Sequence, residues 1–533
     1  MVEKSERRWV WIFALVILTI STIPYLAGYW VQGSDWRFLG FIFGVEDGNS
    51  YIAKMLSGAA GDWLFRTPYT AYPQNGAFAF FPYILLGKLT SQPAQHEQLV
   101  FLFQAFRWAG GFLLAIATYD FASFFVKKVQ YRRWATAIIL LGGGLGWLSA
   151  LGLSALWQGR IPLEFYSPET FGFLSLAGLP HLEFARALLL WGLRDYLANG
   201  AAYSFQRACK GGLLWLALGM FQPLTVLISW ILIVAHAVVV TALKGIAKYR
   251  ASGKFGIAGS NDFKTAGLMI LISAPIVVYT YAAFNSDPFL RNWTSQNLIL
   301  SPPFGDYLLA LIPVLPLALY GVFTVFKQRD WQGILLGVWV CLFPILAYAP
   351  YNLQRRLPEG IWAALVVLAM IAIERHFFGF QKYVKIWGAA SFLPAFLFFI
   401  GALFTVLQPA TPLYAPKNEI DAFSALNEIA VKNDVVLATF RIANDLPAWA
   451  PLRTLYGHGP ESINASQLKP EIGQFFSAKG SDSDRLRLIN EFNIKYVILG
   501  PDEHQAGSWQ PGTSNFVELV FQEQAYEIYR IRK

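Results

Sequence analysis

Charged residues are scarce in this sequence. Asp, Glu, Lys and Arg make up only 14% of the 533 residues, whereas 55% are hydrophobic and 16% are aromatic. A water-soluble domain has too little interior to bury so large an apolar fraction. The composition therefore excludes a soluble globular protein and predicts an α-helical polytopic membrane protein.

Cysteine is rare, and the short motifs of several large enzyme classes are absent. Cys209 and Cys341 are the only cysteines and both lie in apolar runs, so no disulfide framework is predicted and the redox compartment stays open. The sequence has no P-loop, no paired-cysteine zinc pattern, no G-x-S-x-G and no H-E-x-x-H. ATP-driven and hydrolytic functions therefore lose most of their support. The C-terminal part has no interleaved aromatic and basic residues, which argues against a nucleic-acid partner.

Long apolar runs predict about eleven membrane-spanning helices. The first run, 9–30, has about 22 residues and no small-residue cleavage site, so we interpret it as a retained span rather than a signal peptide. Further spans are predicted at 98–126, 134–157, 180–198, 211–243, 265–284, 306–326, 331–350, 361–375 and 386–407.

Two apolar runs have lengths that do not match a single span. The run 78–89 has about 12 residues, which suits a re-entrant or interfacial helix. The run 211–243 is too long and contains Pro223, which can divide it into two half-length spans. If the first run does not cross and the second crosses twice, eleven spans result and every basic cluster faces the cytoplasm. If each crosses once, eleven spans also result but residues 127–133 lie outside; we favour the first arrangement.

Basic residues near the spans set the predicted orientation. Lys4, Arg7 and Arg8 precede the first span and place the N-terminus in the cytoplasm, so residues 32–77 form the first outer loop. The other clusters predicted to be cytoplasmic lie at 127–133, 207–210, 244–264, 327–329 and 375–385.

The sequence changes character after Gln408. Residues 409–533 contain 12 Lys plus Arg against 15 Asp plus Glu, whereas residues 1–408 contain 30 against 18. Helix-like and short strand-like stretches then alternate, which is typical of a small α/β domain of about 115 residues. We therefore predict a transmembrane domain at 1–408 and an extracytoplasmic α/β domain at 409–533.

Glu46 and Asp47 are the main candidate site. They follow the first span, and a carboxylate at the outer mouth of a membrane bundle can accept a proton from a hydroxyl or bind a divalent metal. The alternative is a pair of solvated loop acids. We predict Asp47 and Glu46 as catalytic residues, with either no cofactor or a metal such as Mg or Mn bound by the same two carboxylates.

Arg355 and Arg356 are the second candidate. They lie in the short loop 351–360, which is predicted to be outside, against the positive-inside trend. Guanidinium groups suit phosphate, although the side chains could instead reach lipid headgroups. An outer carboxylate and two outer arginines together suit a base and a leaving-group clamp for a phosphate-linked donor.

Eight further residues are weaker candidates for substrate binding. His181 could orient a hydroxyl or a phosphate, although a histidine beside proline at a helix start is commonly structural. The segment 291–296 could bind sugar by stacking and amide hydrogen bonds, or act as an interfacial anchor. His458 lies in a loop that could cover the site or be a simple turn. The eight candidates are Tyr51, Lys54, Glu169, His181, Arg291, Trp293, Gln296 and His458.

The first outer loop carries a series of short motifs. After Asp47 come Y-I-A-K-M at 51–55, G-D-W-L-F at 61–65, Y-T at 69–70 and F-F-P-Y-I-L-L-G at 80–87. Later motifs are L-P-H at 179–181, F-Q-P at 221–223, where related chains tend to have His-Pro, and Q-R-R at 354–356. Together they resemble bacterial membrane glycosyltransferases of the GT-C fold, over most of the membrane part.

The resemblance implies a fold of eleven to thirteen helices with a catalytic acid in the first outer loop and a soluble outer domain at the C-terminus. Such enzymes transfer a sugar from a polyprenyl-phosphate carrier to a lipid, glycan or protein acceptor, usually with inversion. Here it implies Asp47, with Glu46, as general base and Arg355 and Arg356 as clamp for the departing lipid phosphate. The implied setting is the plasma membrane, with a role in cell-envelope glycan synthesis.

Two alternative functions stay open. A transporter or flippase of lipid-linked glycans would also use outer arginines and broken helices, but it would need ionisable residues near mid-membrane, which are few in these spans. A non-catalytic membrane assembly or sensor protein would leave Glu46 and Asp47 dispensable.

Overall fold

The structure is a computed structural model that describes residues 2–253, 261–377 and 381–532. Two of the basic clusters predicted to be cytoplasmic, 244–264 and 375–385, lie partly outside the described residues.

Helices dominate the chain, and short strands are concentrated near its C-terminal end. The helices are α1 (Lys4–Val31), α2 (Val45–Ala59), α3 (Phe81–Gly87), α4 (Gln95–Phe125), α5 (Val129–Leu141), α6 (Gly172–Gly178), α7 (Pro180–Ala201), α8 (Phe205–Phe221), α9 (Pro223–Ser252), α10 (Asn261–Ser286), α11 (Pro288–Gln296), α12 (Phe304–Leu311), α13 (Leu315–Lys327), α14 (Ile334–Ala347), α15 (Ile361–His376), α16 (Gln381–Ala390), α17 (Leu393–Val406), α18 (Lys417–Ile429), α19 (Phe440–Asp445), α20 (Ala465–Phe476), α21 (Asp482–Phe492) and α22 (Pro501–Ala506). The strands are β1 (Trp36–Phe38), β2 (Tyr414–Pro416), β3 (Val435–Leu437), β4 (Arg453–Thr454), β5 (Ile494–Leu499), β6 (Val517–Glu523) and β7 (Tyr526–Ile531).

Several helices have the length and composition of membrane spans. In the described part of the chain six segments qualify: Lys4–Val31, Gln95–Phe125, Pro223–Ser252, Asn261–Ser286, Gln354–His376 and Lys385–Val406. A seventh results if α12 and α13, which meet at 84°, count as one broken span. A helix of 20 residues already covers the roughly 30 Å apolar layer of a bilayer. The chain is therefore a polytopic membrane protein, and the total of eleven spans stays a prediction.

The break at Pro223 is confirmed. The helix α8 ends at Phe221 and α9 begins at Pro223, with Gln222 between them at φ −149° and ψ 86°. Proline lacks the backbone N–H that would continue α8, and it forces the preceding residue out of the helical region. The pieces are not half-length spans as expected, because α9 alone has 30 residues.

The predicted continuous span at 134–157 is wrong. The helix α5 ends at Leu141, and two short 3₁₀ helices, Gly146–Leu151 and Ser154–Trp157, follow it. Three consecutive glycines separate them, and glycine disfavours a helix by about 1 kcal/mol per residue. A Cβ at Gly144 would lie 2.4 Å from the backbone of Ala310, so close packing requires a glycine there.

The helix of the short run 78–89 is too short to cross a membrane by itself, and whether the run is re-entrant or interfacial stays a prediction. Its helix, α3, has seven residues, or roughly 10 Å. The helix packs directly on α2, since a Cβ at Gly87 would lie 1.7 Å from the carbonyl oxygen of Met55 and one at Gly58 would lie 2.0 Å from that of Ile84. The two glycines therefore set the distance between α2 and α3.

The chain divides into two compact units. The first comprises Met1–Thr22, Phe106–Tyr281 and Leu298–Gly401. Its central helix is α15, which is buried from Ile361 to Glu374 and packs on α5, α13 and α14. An apolar helix that is hydrophobic on all faces is expected in such an interior position.

The second unit comprises Ile23–Ala105, Ala282–Asn297 and Ala402–Lys533. It contains a mixed five-stranded sheet in the order β4-β3-β5-β7-β6, in which β3 is parallel to β4 and β5 whereas β7 is antiparallel to β5 and β6. A separate antiparallel pair, β1 and β2, aligns Trp36 with Pro416. The predicted helices and strands of the C-terminal part are thus present, while the boundary at residue 408 stays a prediction.

We expect the α2–α3 contact to be intolerant of even one methyl group. Gly87→Ala should lower the free energy of unfolding by roughly 1–3 kcal/mol or prevent folding, because the neighbour is backbone and cannot move aside cheaply. Thermal unfolding in detergent measures this. Gly473→Ala in α20 is the matched control, because no atom lies within 4 Å of its added Cβ; equal melting temperatures for the two variants would contradict the packing.

Candidate active site

The helix α2 places its two acidic residues at its exposed end. It begins after Gly44, whose φ of 60° and ψ of 52° lie in the left-handed region. Glu46 and Asp47 occupy the first turn, where the helix dipole favours negative charge, and both are exposed. Residues 48–56 that follow them are buried. The two predicted catalytic carboxylates are therefore the accessible part of an otherwise buried helix.

Asp47 contacts His458, the histidine of the predicted covering loop. Nε2 of His458 lies 3.2 Å from Oδ1 of Asp47. The Asp47 side chain is 57% exposed, whereas that of His458 is 10% exposed. The imidazole also stacks on the ring of Tyr69 at a centroid distance of 5.4 Å. Asp47 is thus fixed on one side and accessible on the other.

A buried ion pair lies next to this contact. Nζ of Lys54 lies 2.7 Å from Oε1 of Glu461, and the two side chains are only 1% and 4% exposed. Thr67 donates to Oε2 of Glu461 at 2.6 Å, and Ser50 donates to Oε1 at 3.1 Å. A buried ion pair is sustained only when its remaining hydrogen-bonding positions are filled, as they are here.

The charge state of Glu461 follows from its neighbours. Burial by itself would raise the pKa of this carboxyl. The charges of Lys54 and His458 and the hydrogen bonds from Lys54 and Thr67 outweigh burial and lower the pKa below its ordinary value of 4.5. Glu461 is therefore ionised at neutral pH.

The loop that carries His458 and Glu461 is fixed by hydrogen bonds. Oγ of Ser462 accepts from the backbone N–H of Gly457 at 3.2 Å and of His458 at 3.1 Å. The side-chain amide of Gln296, in α11, donates to the carbonyl oxygens of Pro460 and Ser462, each at 2.8 Å. The amide nitrogen of Gln296 thus holds this loop, and its predicted sugar-binding role stays a prediction.

Asn49, also in α2, binds the segment 444–445. Nδ2 of Asn49 donates to Oδ1 of Asp445 at 2.6 Å and to Oδ1 of Asn444 at 2.9 Å. Burial and the nearby Glu419 carboxylate raise the pKa of Asp445 well above its ordinary value, although Arg441 opposes them. Asn49 is thus a second attachment of α2, made through buried side chains.

Of three other candidates in the second unit, two lie in packing positions and one is exposed. Tyr51 is 9% exposed and stacks on Tyr83 at 4.7 Å. Trp293 belongs to an apolar cluster with Phe65 and stacks on Phe80 at 5.8 Å. Arg291 is exposed and donates to the carbonyl oxygen of Asn285 at 2.9 Å. Substrate binding by these three residues stays a prediction.

The two predicted phosphate-binding arginines belong to the first unit and differ from each other. Arg356 forms an ion pair with Glu169, with Nε and Oε1 3.3 Å apart. Arg355 lies over the ring of Tyr166 at 4.9 Å, and in the described part of the chain it pairs with no carboxylate. Its Nε is buried without a hydrogen-bond partner. The Nε of Arg356 also has no hydrogen-bond partner, so among the described residues the two guanidinium groups differ in the ion pair with Glu169.

Glu169 and His181 occupy different environments in the first unit. Glu169 is 3% exposed, and besides its pairing with Arg356 its backbone carbonyl accepts from Nη2 of Arg186 at 2.7 Å. Arg186 also pairs with Glu359 at 2.7 Å. His181 is half-buried in the first turn of α7. A substrate contact by either candidate stays a prediction.

The residues that sequence reasoning missed are mainly hydroxyl groups. Ser50, Thr67 and Tyr69 bind the Lys54–Glu461 pair or His458. The sequence could have indicated Ser50, because Asp47, Ser50 and Lys54 lie at i, i+3 and i+7 and therefore on one helical face. For Thr67 and Tyr69, the partners lie nearly 400 residues away in sequence and no local signal exists.

Metal binding by Asp47 and Glu46 stays a prediction. Across residues 2–253, 261–377 and 381–532, no group of three or more His, Cys, Asp and Glu side chains is arranged to hold a metal ion. Magnesium can be bound by one or two carboxylates together with phosphate, and Asp47 and Glu46 are two exposed carboxylates in one helical turn.

We expect the Lys54–Glu461 pair to stabilise the fold strongly. Lys54→Met should cost roughly 3–5 kcal/mol, because it leaves Glu461 charged and buried without its partner. Lys432→Met is the matched control: Lys432 pairs with Asp62 at 2.9 Å but is 32% exposed, so its loss should cost about 0–1 kcal/mol. Because the pKa of Glu461 is lowered, this stabilisation should be complete at neutral pH and lost as pH falls below 4.5.

Unfolding of both variants and the parent at pH 7 and at lower pH measures these effects. Equal stabilities of Lys54→Met and Lys432→Met at pH 7 would contradict a strong contribution from the Lys54–Glu461 pair. So would a stability difference between the parent and Lys54→Met that grows as the pH falls.

Comparison with known proteins identifies the fold. No protein-family model matches the chain, and no curated protein matches its sequence. Among solved structures, the apo oligosaccharyltransferase of Archaeoglobus fulgidus is similar at a TM-score of 0.55 and 14% identity, covering 96% of this chain and 73% of that chain. The same enzyme tethered to an acceptor peptide with the NVT sequon gives 0.52 and 11%, covering 92% and 69%.

A bacterial structure gives the same result. The mycobacterial arabinofuranosyltransferase AftD is similar at a TM-score of 0.55 and 13% identity, and the match covers 98% of this chain but only 40% of AftD. At such identities the likeness concerns the fold. These structures are GT-C glycosyltransferases, so the chain has the GT-C fold that its sequence motifs predict.

Proposed function

We propose that this chain is a membrane glycosyltransferase that transfers a sugar from a polyprenyl-phosphate donor to a lipid, glycan or protein acceptor. The observation that carries the proposal is the carboxylate of Asp47, which is exposed on one side and held by His458 on the other, in a chain with the GT-C fold. The proposal places the reaction on the outer face of the plasma membrane, with the N-terminus cytoplasmic and the C-terminal α/β part extracytoplasmic.

In the proposed reaction Asp47 acts as general base. The acceptor O–H bond breaks as its proton moves to Asp47, the acceptor oxygen bonds to the anomeric carbon, and the bond from that carbon to the donor phosphate breaks. The electron pair of the broken bond leaves on the phosphate. A single displacement of this kind inverts the anomeric centre. General-base assistance is worth about 10²–10⁴-fold in rate.

Glu46 supports Asp47 without replacing it. It is exposed in the same helical turn, and its backbone carbonyl accepts from Nδ2 of Asn444 at 3.4 Å. Asp47 is the preferred base because it is the carboxylate bound by His458.

Arg355 is the proposed group that stabilises the departing phosphate. Among the described residues its guanidinium forms no ion pair with a carboxylate and lies over the ring of Tyr166, so its donors suit a phosphate oxygen. Arg356 contributes less, because Glu169 already compensates its charge. The sequence alternatives of a transporter or an assembly protein would give none of these groups a bond-breaking role.

The acceptor class stays broad in this proposal. The archaeal oligosaccharyltransferase, which shares the fold, was solved with a tethered acceptor peptide. This supports keeping a protein among the acceptor classes, beside a lipid and a glycan.

We expect Asp47→Asn to lower sugar transfer by about 10²–10⁴-fold, because the amide cannot accept the proton. The measurement is transfer from a polyprenyl-phosphate donor pool in membranes at matched expression. Asp484→Asn is the control, since Asp484 is an exposed first-turn carboxylate of α21. Transfer by Asp47→Asn at the parent rate would remove Asp47 as base and make Glu46 the residue to replace next.

Arg355→Ala should lower transfer by about 10–100-fold, corresponding to the roughly 1.5–3 kcal/mol of a charged hydrogen bond. Arg356→Ala should have a smaller effect because Glu169 compensates Arg356. Initial rates against donor concentration separate the two variants. A larger loss for Arg356→Ala than for Arg355→Ala would reverse the assignment.

A further inference from the structure

The contacts of His458 point to a role different from substrate binding. Its ring lies between the exposed carboxylate of Asp47 and the buried carboxylate of Glu461, at 3.2 Å and 3.9 Å. We propose that His458 is a positioning residue that holds Asp47 in its reactive orientation and does not itself contact the acceptor. This inference rests on the proposed function, since it concerns the same carboxylate.

The hydrogen bond has one direction. An ionised carboxylate only accepts, so Nε2 of His458 carries the hydrogen and donates it to Oδ1 of Asp47. The other ring nitrogen, Nδ1, is buried without a hydrogen-bond partner and faces Oε1 of Glu461. Glu461 therefore influences the ring through its charge rather than through a hydrogen bond.

Burial separates the roles of the two side chains. The His458 side chain is 10% exposed and is covered by Tyr69, whereas Asp47 is 57% exposed. An acceptor hydroxyl can therefore reach the carboxylate of Asp47 but not the imidazole. The effect of His458 on the reaction must pass through Asp47.

Hydrogen bonds and an ion pair fix His458, its loop and Glu461. Lys54 and Thr67 hold Glu461, Ser462 binds the backbone N–H of His458, and Gln296 binds the loop from α11. In the series Lys54, Glu461, His458 and Asp47, only the side chain of Asp47 is open to solvent. A general base whose neighbours are fixed spends more time in the reactive orientation. A misplacement of about 1 Å can lower the reaction rate roughly 10²-fold.

Two replacements of His458 test this role. His458→Phe keeps a ring that can stack on Tyr69 but removes the donor, and should lower kcat by roughly 10–100-fold with the acceptor KM changed by less than about 3-fold. His458→Gln places an amide N–H where Nε2 lies. On a logarithmic scale, its kcat should be restored by at least about half of the decrease seen for His458→Phe. His504→Gln, at an exposed histidine of α22, is the control.

A second measurement does not depend on turnover. His458→Phe should lower the melting temperature of the full chain in detergent, and this lowering should shrink when Asp47→Asn is present, because the two residues share one interaction. If the decreases in melting temperature of the two single variants simply add in the double variant, the two residues do not interact and the contact is overturned.

The outcomes separate the two proposals. If the parent transfers sugar and His458→Phe does so with the parent kcat, the positioning role is overturned while the proposed function stands. A raised acceptor KM at unchanged kcat would instead make His458 a binding residue and also overturn it. If the parent transfers no sugar to any acceptor class, the proposed function fails and the role of His458 fails with it, although coupled melting shifts would still establish the contact.

Discussion

The arrangement of the candidate site depends on the buried ion pair between Lys54 and Glu461. The pair joins α2 to the loop 457–464, two segments about 400 residues apart in sequence. A buried charge without a partner carries a large desolvation penalty. Separating the two segments would leave both ions unpaired, so the ion pair holds the segments together. The rings of Phe80, Phe65 and Tyr51 surround the ammonium group at 4.4, 5.4 and 5.7 Å and exclude water from it.

This anchoring gives neighbouring carboxylates different chemistry. Glu461 is buried and fully committed to Lys54, Thr67 and Ser50, so it can serve as a fixed charge but not as a base. Asp47 contacts His458 and keeps an exposed side, which suits it to accept a proton. The two arginines also differ: Arg356 forms an ion pair with Glu169, whereas Arg355 lies over Tyr166 and, among the described residues, forms no ion pair. The proposed function relies on Asp47 and Arg355.

The sequence predicted the features that depend on local chemistry. Composition predicted a helical membrane protein, Pro223 predicted a helix break, and the short run 78–89 predicted a helix that does not cross. The span at 134–157 failed because hydropathy counts apolar residues and gives too little weight to three consecutive glycines. The motifs of the first outer loop were sufficient to predict the GT-C fold.

The internal geometry of the site was less accessible to sequence reasoning. The helical face with Asp47 and Lys54 follows from their spacing, and His458 was a candidate only as a covering loop or a turn. That it binds Asp47, and that Glu461 binds Lys54, depends on tertiary contacts that no local pattern encodes. Gln296 illustrates the same point, because the bonds of its amide nitrogen to the loop of His458 could not be predicted from sequence.

A transferase breaks and forms a bond to the sugar, whereas a transporter moves the intact carrier. The two are distinguished with the purified full chain in lipid vesicles that contain a polyprenyl-phosphate donor with a labelled sugar, supplied with lipid, glycan and peptide acceptors. We expect free polyprenyl phosphate and labelled acceptor to appear together in equal amounts. Movement of the intact labelled donor from one leaflet to the other, with no free polyprenyl phosphate formed, would contradict it and favour a transporter.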